Sequence, residues 1–199
     1  LGDQVVPVHL DGSDPDVSSG HTSRGHRLRS DTVVIPTASD YEQAMAAAGV
    51  QVVRSDRAHW IREQVQAAAQ RLEAVPDLPN ALFEELTDLV ESPLLIEGSV
   101  ADRYLDLPAE VLSTVMRSHQ RYVPLYRQGA VTDPLALDAR SSLLPRFLCI
   151  GNGLPEASDL VRRGNERVLK ARLADAEFFV NADRAVASID RRDQLARVT

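Results

Sequence analysis

The sequence predicts a layered α/β fold (α/β or α+β), in which a mixed sheet packs against helices. Short β-branched runs alternate with longer segments of helical periodicity along the 199 residues. One long segment repeats its apolar residues at the spacing of a single helix face, and two strand-like runs flank one loop as an antiparallel pair does. We therefore expect a single domain over residues 1–199.

The N-terminal part is predicted to consist of short strands, a polar loop and the start of a helix. Val5–Leu10 is strand-like, and a loop rich in glycine, serine and aspartate follows it to about Gly20. Thr32–Ile35 is a second short β-branched run. Ser39 or Asp40 is expected to cap the first helix, since both residue types accept hydrogen bonds from free helical N–H groups.

A short helix, a strand and a long helix are expected next. The short helix reaches Ala48, where Gly49 stops it, and Val50–Val53 is again strand-like. Ser55 is expected to cap the long helix, which reaches about Ala74. Its inward face has 4,3,4 spacing and consists of Ile61, Val65, Ala68, Ala69 and Leu72.

The residue pattern in the middle of the chain predicts two further helices and a buried strand. The first helix covers Ala81–Val90, and the strand covers Leu94–Ile96. Leu107-Pro108 opens the second helix, because proline in the first turn sacrifices no helical hydrogen bond. The inward residues of that helix are Val111, Leu112, Val115 and Met116.

The last part predicts a strand pair and a final helix. Arg121–Tyr126 and Arg146–Ile150 flank the loop Gln128–Leu144 and are expected to pair. The final helix is expected from roughly Asn165 into the Asp183–Arg184 region.

Composition narrows the class of protein. The net charge is −7, from 22 Lys+Arg against 29 Asp+Glu, which argues against a free-standing nucleic-acid binder but not against a local basic patch. No membrane span or secretory signal is visible, so we expect no membrane partner and a cytoplasmic location. Cys149 lies in an apolar run and is expected to be a core residue in a reducing compartment. Because the sequence starts at Leu1, inside a strand-like run, we expect a fragment of a longer protein.

The most distinctive stretch is Gly164–Phe179, which reads GNERVLKARLADAEFF. On a helical wheel of about 100° per residue, its inward stripe consists of Leu169, Leu173, Ala176 and Val180. Asn165 and Arg172 lie close to that stripe and are predicted to be internal polar ties. Three basic residues share another face: Arg163, Arg167 and Lys170. These three residues either bind successive phosphates of one RNA backbone or form an ordinary solvated surface.

Two further basic clusters are candidates for contact with RNA or with a neighbouring domain. One follows a helix and precedes a strand, and contains Arg117, His119 and Arg121. The other surrounds Gly25 and contains Arg24, His26 and Arg27. The alternatives are a structural histidine in the first cluster and a surface loop closing onto the sheet in the second. Neither resembles a metal site, and no serine lies in a nucleophile elbow, so we expect no catalytic residue and no metal ligand.

Six motifs occur in order along the chain: Leu1–Pro7 (LGDQVVP), Arg24–Arg27 (RGHR), Asp88–Pro93 (DLVESP), Leu107–Tyr122, Leu144–Phe147 (LPRF) and Gly164–Phe179. Together they resemble the β subunit of the bacterial tetrameric glycyl-tRNA synthetase. The resemblance implies a module like the B3/4 region of phenylalanyl-tRNA synthetase β chains, with an α/β layered fold. The C-terminal helical part, from about Glu156, would lead into the next domain.

The resemblance also implies a role and partners. In that family the α subunit carries the active site and uses ATP and Mg²⁺, so we expect no cofactor in this chain. The implied partners are the α subunit, tRNA(Gly) and the remaining β-subunit domains. We therefore expect a noncatalytic module of a glycine–tRNA ligase that aids tRNA binding and domain positioning. The alternatives are an editing-like hydrolase of mischarged tRNA, using His119 or His26, and a pure structural scaffold.

Overall fold

The computed structural model describes residues 4–10, 12, 17–130 and 138–186. Within these ranges the helices are α1 (Tyr41–Ala47), α2 (Arg54–Arg71), α3 (Asn80–Leu89), α4 (Ala109–Thr114) and α5 (Ser158–Ala185). The strands are β1 (His9–Leu10), β2 (Val17–Ser18), β3 (Thr22–Ser23), β4 (Val33–Val34), β5 (Ala74–Pro76), β6 (Leu94–Ser99), β7 (Val123–Arg127) and β8 (Leu143–Gly151). Short 3₁₀ segments cover Ala38–Asp40, Asp102–Asp106 and Pro155–Ala157, and a π-helical turn, Val115–His119, follows α4.

The centre of the molecule is a four-stranded antiparallel sheet in the order β5-β7-β8-β6. Side chains of β8 alternate between its two faces, as the pleat of a strand requires. Phe147 and Cys149 enter one hydrophobic cluster, and Leu148 and Ile150 enter the other. The predicted pairing of the strands on either side of the long loop is confirmed, since β7 pairs with β8.

Helices cover both faces of this sheet and make three layers. On one face α2 and α3 pack against β7 and β8 through Ile61, Val65, Ala68, Leu82, Phe83 and Leu86. On the other face α4, the π-helical turn and α5 contribute Leu112, Val115, Met116, Leu169 and Leu173. The predicted fold class, a mixed sheet packed with helices, is confirmed. The predicted inward faces of α2 and α4 are confirmed as well, although Val111 is only half-buried.

A smaller hydrophobic cluster holds the N-terminal part of the described chain. It combines Val33 of β4, Met45 and Ala48 at α1, and Val50 beyond it. Gly49 ends α1 with a φ of 82°, the left-handed conformation that favours glycine.

The start of α1 differs from the prediction. The Asp40 carboxylate accepts hydrogen bonds from the Thr37 N–H, at 3.1 Å, and from the Thr37 hydroxyl, at 2.7 Å. Asp40 occupies the N-cap position of α1, as predicted, but its side chain makes no cap hydrogen bond there because it reaches back to Thr37; Ser39 lies in the preceding 3₁₀ turn.

Two predictions around the long helix are wrong. Val50–Val53 is not a strand: it lies on no described sheet, and Val50 and Val52 pack in the small cluster instead. Ser55 does not cap α2 but lies in its first turn, after Val53. The helix ends at Arg71, shortly before Glu73 adopts a φ of 51°.

The final helix begins earlier than predicted, at Ser158 rather than Asn165. Gly164 lies inside α5, and a Cβ placed on it would meet no atom within 4 Å. This glycine therefore neither starts the helix nor permits a close approach.

The other elements follow the predictions with small shifts. The helix predicted at Ala81–Val90 is α3, and the strand predicted at Leu94–Ile96 is the first half of β6. Of the predicted strand Val5–Leu10, only the last two residues form β1. Much of the predicted polar loop after it, and residues 131–137 of the long loop, lie outside the described residues.

Candidate functional site

The inward side of α5 anchors it to the sheet. Leu169 and Leu173 are each 1% exposed, and Ala176 and Val180 pack against the same cluster. The predicted apolar stripe is therefore confirmed. Because α5 buries only this face, its other sides are exposed to solvent and carry most of its polar residues.

Two hydrogen-bonded contacts fix the rotation of α5. The Asn165 side-chain amide donates to Cys149 Sγ at 3.3 Å, so the predicted internal role of Asn165 is confirmed. Burial raises the pKa of the Cys149 thiol to about 12, and the Asn165 hydrogen bond only partly offsets it. The Glu166 carboxylate accepts from the Ser99 N–H at 3.0 Å and from the Ser99 hydroxyl at 2.8 Å.

The carboxylate of Glu166 is held in its charged form. Its burial opposes ionisation, but hydrogen bonds from Ser99 and Arg162 outweigh that cost and keep the pKa of Glu166 below its ordinary value. Arg162 is itself fully engaged, since it contacts Glu166 at 3.2 Å and Asp159 at 3.3 Å. The charged side chains of Asp159, Arg162 and Glu166, near the start of α5, therefore pair with one another.

The next basic residues of α5 behave differently. Arg163, Arg167 and Lys170 are exposed, and none makes an ion pair with a residue that the structure describes. Their 4,3 spacing places them along one side of the helix, over roughly 10 Å of its axis at 1.5 Å per residue. We call these three residues the basic stripe. Arg172 is also exposed and has no described partner, so its predicted role as an internal tie is wrong.

Six arginines elsewhere in the described chain form ion pairs with carboxylates. The pairs are Arg54 with Glu84 and Asp88, Arg71 with Glu97, Arg103 with Glu177, Arg117 with Asp77, Arg121 with Glu85, and Arg140 with Asp106. In a chain with a net charge of −7, the basic stripe is thus a local region of positive potential on an acidic molecule.

Beside the basic stripe, α5 exposes an apolar sector. Leu160 is 74% exposed and Phe178 69% exposed, and Val168 and Phe179 also face solvent. The rings of Phe178 and Phe179 contact edge to face, with centroids 5.5 Å apart. Phe178 and Phe179 thus form an exposed aromatic pair near the C-terminal end of α5, and exposed apolar side chains of this kind are typical of surfaces that contact another protein segment.

The Arg24–Arg27 cluster divides between surface and interior. Arg24 and Arg27 are exposed and form no ion pair with a described residue. His26 is fully buried, and its Nδ1 accepts the Leu28 N–H at 3.3 Å. Its backbone N–H donates to the Ala48 carbonyl oxygen at 3.0 Å, which ties the loop to the end of α1. The side chain of His26 therefore offers no surface to RNA, and the contact prediction rests on the two arginines.

Both arginines of the Arg117–Arg121 cluster pair with carboxylates elsewhere in the chain. Arg117 donates to both carboxylate oxygens of Asp77, at 3.0 and 2.9 Å, and the buried Ser113 hydroxyl donates to the same carboxylate at 2.9 Å. Arg121, whose φ is 57°, donates to Glu85 at 2.7 Å. His119 and Arg121 are exposed, and His119 has no described partner. The contacts of Arg117 and Arg121 tie the π-helical turn to Asp77, next to β5, and to α3, while His119 makes none of the contacts expected of a structural histidine within the described residues.

Comparison with known proteins now identifies the family. A family model described as the glycyl-tRNA synthetase beta subunit matches residues 1–199. The chain belongs to this family. Its curated relatives named "Glycine--tRNA ligase beta subunit" include one from Acaryochloris marina, 40% identical over 100% of this chain and 27% of the relative. Others are from Trichodesmium erythraeum, 36% identical over 93% of this chain and 25% of the relative, and from Natranaerobius thermophilus, 36% identical over 100% and 27%.

This member of the glycyl-tRNA synthetase beta subunit family spans about a quarter of the length of these relatives. The described part contains no group of three or more His, Cys, Asp or Glu residues that could hold a metal ion. None of the described helices is both long enough and apolar enough to cross a membrane.

Sequence reasoning missed several residues that shape the surface of this family member. Asp77 lies 40 residues from Arg117, and Ser99 lies 67 residues from Glu166, so no local pattern links them.

Proposed function

We propose that this chain is a noncatalytic module of a glycine–tRNA ligase, and that its basic stripe binds the phosphate backbone of tRNA(Gly). In this proposal the α subunit joins glycine to tRNA(Gly) with ATP and Mg²⁺, in the cytoplasm. The chain described here contributes tRNA affinity and the placement of neighbouring domains. The names of its relatives support the enzyme as a whole.

The observation that carries the proposal is the exposed, unpaired state of Arg163, Arg167 and Lys170. Arg162, on the same helix, contacts both Asp159 and Glu166, whereas these three cations have no carboxylate partner among the described residues. Phosphate contacts need cations that are free, aligned and held on a rigid element. The apolar anchors Leu169 and Leu173 supply that rigidity.

A positioning role is supported by the apolar sector beside the basic stripe. Leu160, Phe178 and Phe179 are mostly exposed in this chain. The relatives are about four times as long, since the match covers 27% of the Acaryochloris marina protein. We infer that the remaining β-subunit domains or the α subunit cover this sector in the complete enzyme.

Site-specific crosslinking in the complete synthetase tests the proposal. A photoreactive amino acid replaces Ala174, an exposed residue that lies beside the basic stripe on the helical wheel. The matched control replaces Ala67, an exposed alanine of α2, which packs on the opposite face of the sheet. We expect tRNA to crosslink at position 174 and not at position 67.

The other outcomes discriminate between the alternatives. A crosslink from position 174 to another protein segment, with none to tRNA, would support the scaffold and contradict the tRNA role. Release of amino acid from mischarged tRNA, lost in His119→Ala, would assign the hydrolase instead.

A further inference from the structure

Lys170 is the only lysine of the chain, and all the other cations among the 22 Lys+Arg residues are arginines. It belongs to the basic stripe and lies three residues after Arg167. For phosphate contact alone an arginine would serve at least as well, because its planar guanidinium binds a phosphate with two hydrogen bonds. A lysine differs in one chemical property: its primary amine can form a neutral amide, and its positive charge is then lost.

The amine of Lys170 is not held by a carboxylate of the described chain. Glu166 lies one helical turn earlier, where an ion pair with Lys170 could form. The Glu166 carboxylate is occupied instead by the Ser99 N–H and hydroxyl, at 3.0 and 2.8 Å, and by Arg162, at 3.2 Å. Because Lys170 is exposed and no described salt bridge has to break first, its nitrogen is accessible to a reagent.

Arg167 lies beside this amine on the same side of α5. Residues three apart on a helix have Cβ atoms about 5–6 Å from each other, so both side chains can reach one small molecule. Arg167 is exposed and has no carboxylate partner among the described residues, which leaves its guanidinium open to an anion. The buried Tyr104 hydroxyl donates to the Lys170 carbonyl oxygen at 3.2 Å and so holds this turn of the helix. A phosphate on Arg167 would therefore lie within reach of the Lys170 amine.

A recess of about 200 Å³ leaves room next to Lys170, which forms part of its wall. Its other walls include the apolar side chains of Val100, Ala101, Leu169 and Leu173. This volume is below the roughly 300–1,000 Å³ of typical ligand pockets, so the recess suits a short acyl group. A neutral, acylated Lys170 side chain can pack against these residues, whereas a charged ammonium group keeps its contact with water.

We propose that Lys170 is an acylation site whose donor is an acyl phosphate, with the phosphate bound by Arg167. The Lys170 ammonium first loses one proton to water, and its nitrogen then attacks the carbonyl carbon of the donor. A C–N bond forms, and the bond between the carbonyl carbon and the phosphate oxygen breaks. The electron pair of that bond leaves with inorganic phosphate, which also takes the second proton of the nitrogen. Arg167 favours this donor over a thioester, because a guanidinium stabilises the charge of a leaving phosphate.

Acylation would reduce the basic stripe from three positive charges to two. This consequence rests on the proposed function, since the basic stripe is the surface that we assign to tRNA(Gly). The loss of one phosphate contact flattens the log–log salt dependence of nucleic-acid binding by about 1. The acylated enzyme should therefore bind tRNA more weakly and with a flatter salt dependence.

Incubation of the complete synthetase with acetyl phosphate tests the acylation site. Mass spectrometry of the digested β subunit measures the acetylated fraction at residue 170, and a small acetyl thioester is the comparison donor. We expect acetyl phosphate to modify Lys170, and the rate to fall about tenfold in Arg167→Gln because one charge-assisted contact to the phosphate is lost. The rate with the thioester should not fall in this variant. Arg172→Gln is the matched control, since it removes an exposed charge about 200° around the same helix and should leave both rates unaltered.

The kinetics of the treated enzyme with tRNA test the consequence. Lys170→Arg keeps the positive charge but has no amine to acylate, so it controls for acetylation of every other lysine in the complete synthetase. After treatment, the unaltered enzyme should have a higher KM for tRNA(Gly) than Lys170→Arg has. Its log–log salt dependence should be flatter than that of treated Lys170→Arg by about 1.

The outcomes separate this inference from the proposed function. An unmodified Lys170, or acetylation by acetyl phosphate that is equally fast in Arg167→Gln, would overturn the acyl-phosphate site. If loss of the whole basic stripe weakens tRNA use but Lys170 is not acetylated, the acylation site fails and the proposed function stands. If acetylation depends on Arg167 but neither it nor loss of the whole basic stripe alters tRNA use, the proposed function fails and the acylation site stands. A salt dependence equal to that of treated Lys170→Arg, although loss of the whole basic stripe flattens it, would overturn the effect of acylation on tRNA binding.

Discussion

The hydroxyl of Tyr104 donates a hydrogen bond to the backbone carbonyl oxygen of Lys170, over 3.2 Å. Tyr104 is 1% exposed, whereas Lys170 is exposed to solvent. Arg103 donates to the same hydroxyl at 2.6 Å. This hydrogen bond therefore joins the backbone of the basic stripe to the hydrophobic core, and a change at Tyr104 should alter how firmly α5 is attached.

Removing this hydroxyl should weaken the attachment of α5. Tyr104→Phe keeps the ring in the core but deletes the donor to Lys170, so the free energy of unfolding should fall by about 0.5–1.5 kcal/mol. Urea denaturation followed by circular dichroism measures the change. Tyr41→Phe, at an exposed tyrosine, is the control and should leave the midpoint unaltered. Equal midpoints for both variants would show that the Tyr104 bond adds nothing.

The close contact between β6 and β8 leaves no room for a side chain at position 98, which is Gly98. A Cβ on Gly98 would lie 2.1 Å from Phe147 Cζ, and Phe147 cannot simply withdraw because it stacks on Tyr122 with ring centroids 4.6 Å apart. Gly98→Ala should therefore destabilise the chain by about 1–3 kcal/mol, as overpacked cores do.

A second substitution checks this cause. Phe147→Leu shortens the side chain that collides, so the Gly98→Ala/Phe147→Leu double variant should recover part of the loss caused by Gly98→Ala. Strictly additive losses in thermal denaturation would contradict the collision between these two residues.

The two sides of α5 should respond differently to truncation. Leu173→Ala removes a side chain that is 1% exposed and should cost about 2–5 kcal/mol of unfolding free energy. Leu160→Ala, at a position that is 74% exposed, should change stability by less than about 0.5 kcal/mol. Chemical denaturation of both variants measures the contrast. Similar losses at the two positions would contradict the assignment of inner and outer faces.

The thiol of Cys149 should remain protonated and unreactive in the folded chain. Its pKa is raised from 9.0 to about 12, chiefly by burial, so its contribution to stability is complete below about pH 9 and is lost as the pH rises from 9 towards 12. Since Cys149 is the only cysteine, the rate of reaction with a thiol reagent should follow the unfolding of the chain. In Cys149→Ala this part of the alkaline loss should disappear. Rapid modification under native conditions at pH 8 would contradict the burial of the thiol.

The elements that could be predicted from the sequence are those with a repeating local pattern. The inward stripe of α5 and the inward face of α2 follow from helical spacing alone, and that spacing does not depend on distant residues. The same spacing does not locate the first residue of α5, because the predicted stripe begins only at Leu169 and Gly164 precedes it, whereas the helix starts at Ser158. A glycine in open solvent weakens a helix by only about 1 kcal/mol, which long packing contacts easily exceed.

Features that depend on the tertiary fold could not be predicted. Val50–Val53 has the composition of a strand, but it pairs with no strand among the described residues, and Val50 and Val52 pack in a separate cluster instead. Arg117 and Arg121 are as basic in sequence as Arg163 and Arg167. Only the fold shows that the first two meet Asp77 and Glu85. Local sequence indicates charge, whereas the availability of that charge depends on residues far along the chain.

The salt dependence of tRNA use by the complete synthetase tests the basic stripe most directly. The variant combines Arg163→Gln, Arg167→Gln and Lys170→Gln, and the control combines Arg54→Gln, Arg62→Gln and Arg71→Gln on α2, on the opposite face of the sheet. For three phosphate contacts, loss of the basic stripe should raise the KM for tRNA(Gly) and flatten its log–log dependence on salt by about 2 to 3. The control should keep the slope of the unaltered enzyme. An unchanged slope and KM in the stripe variant, with normal folding, would contradict the tRNA-binding role.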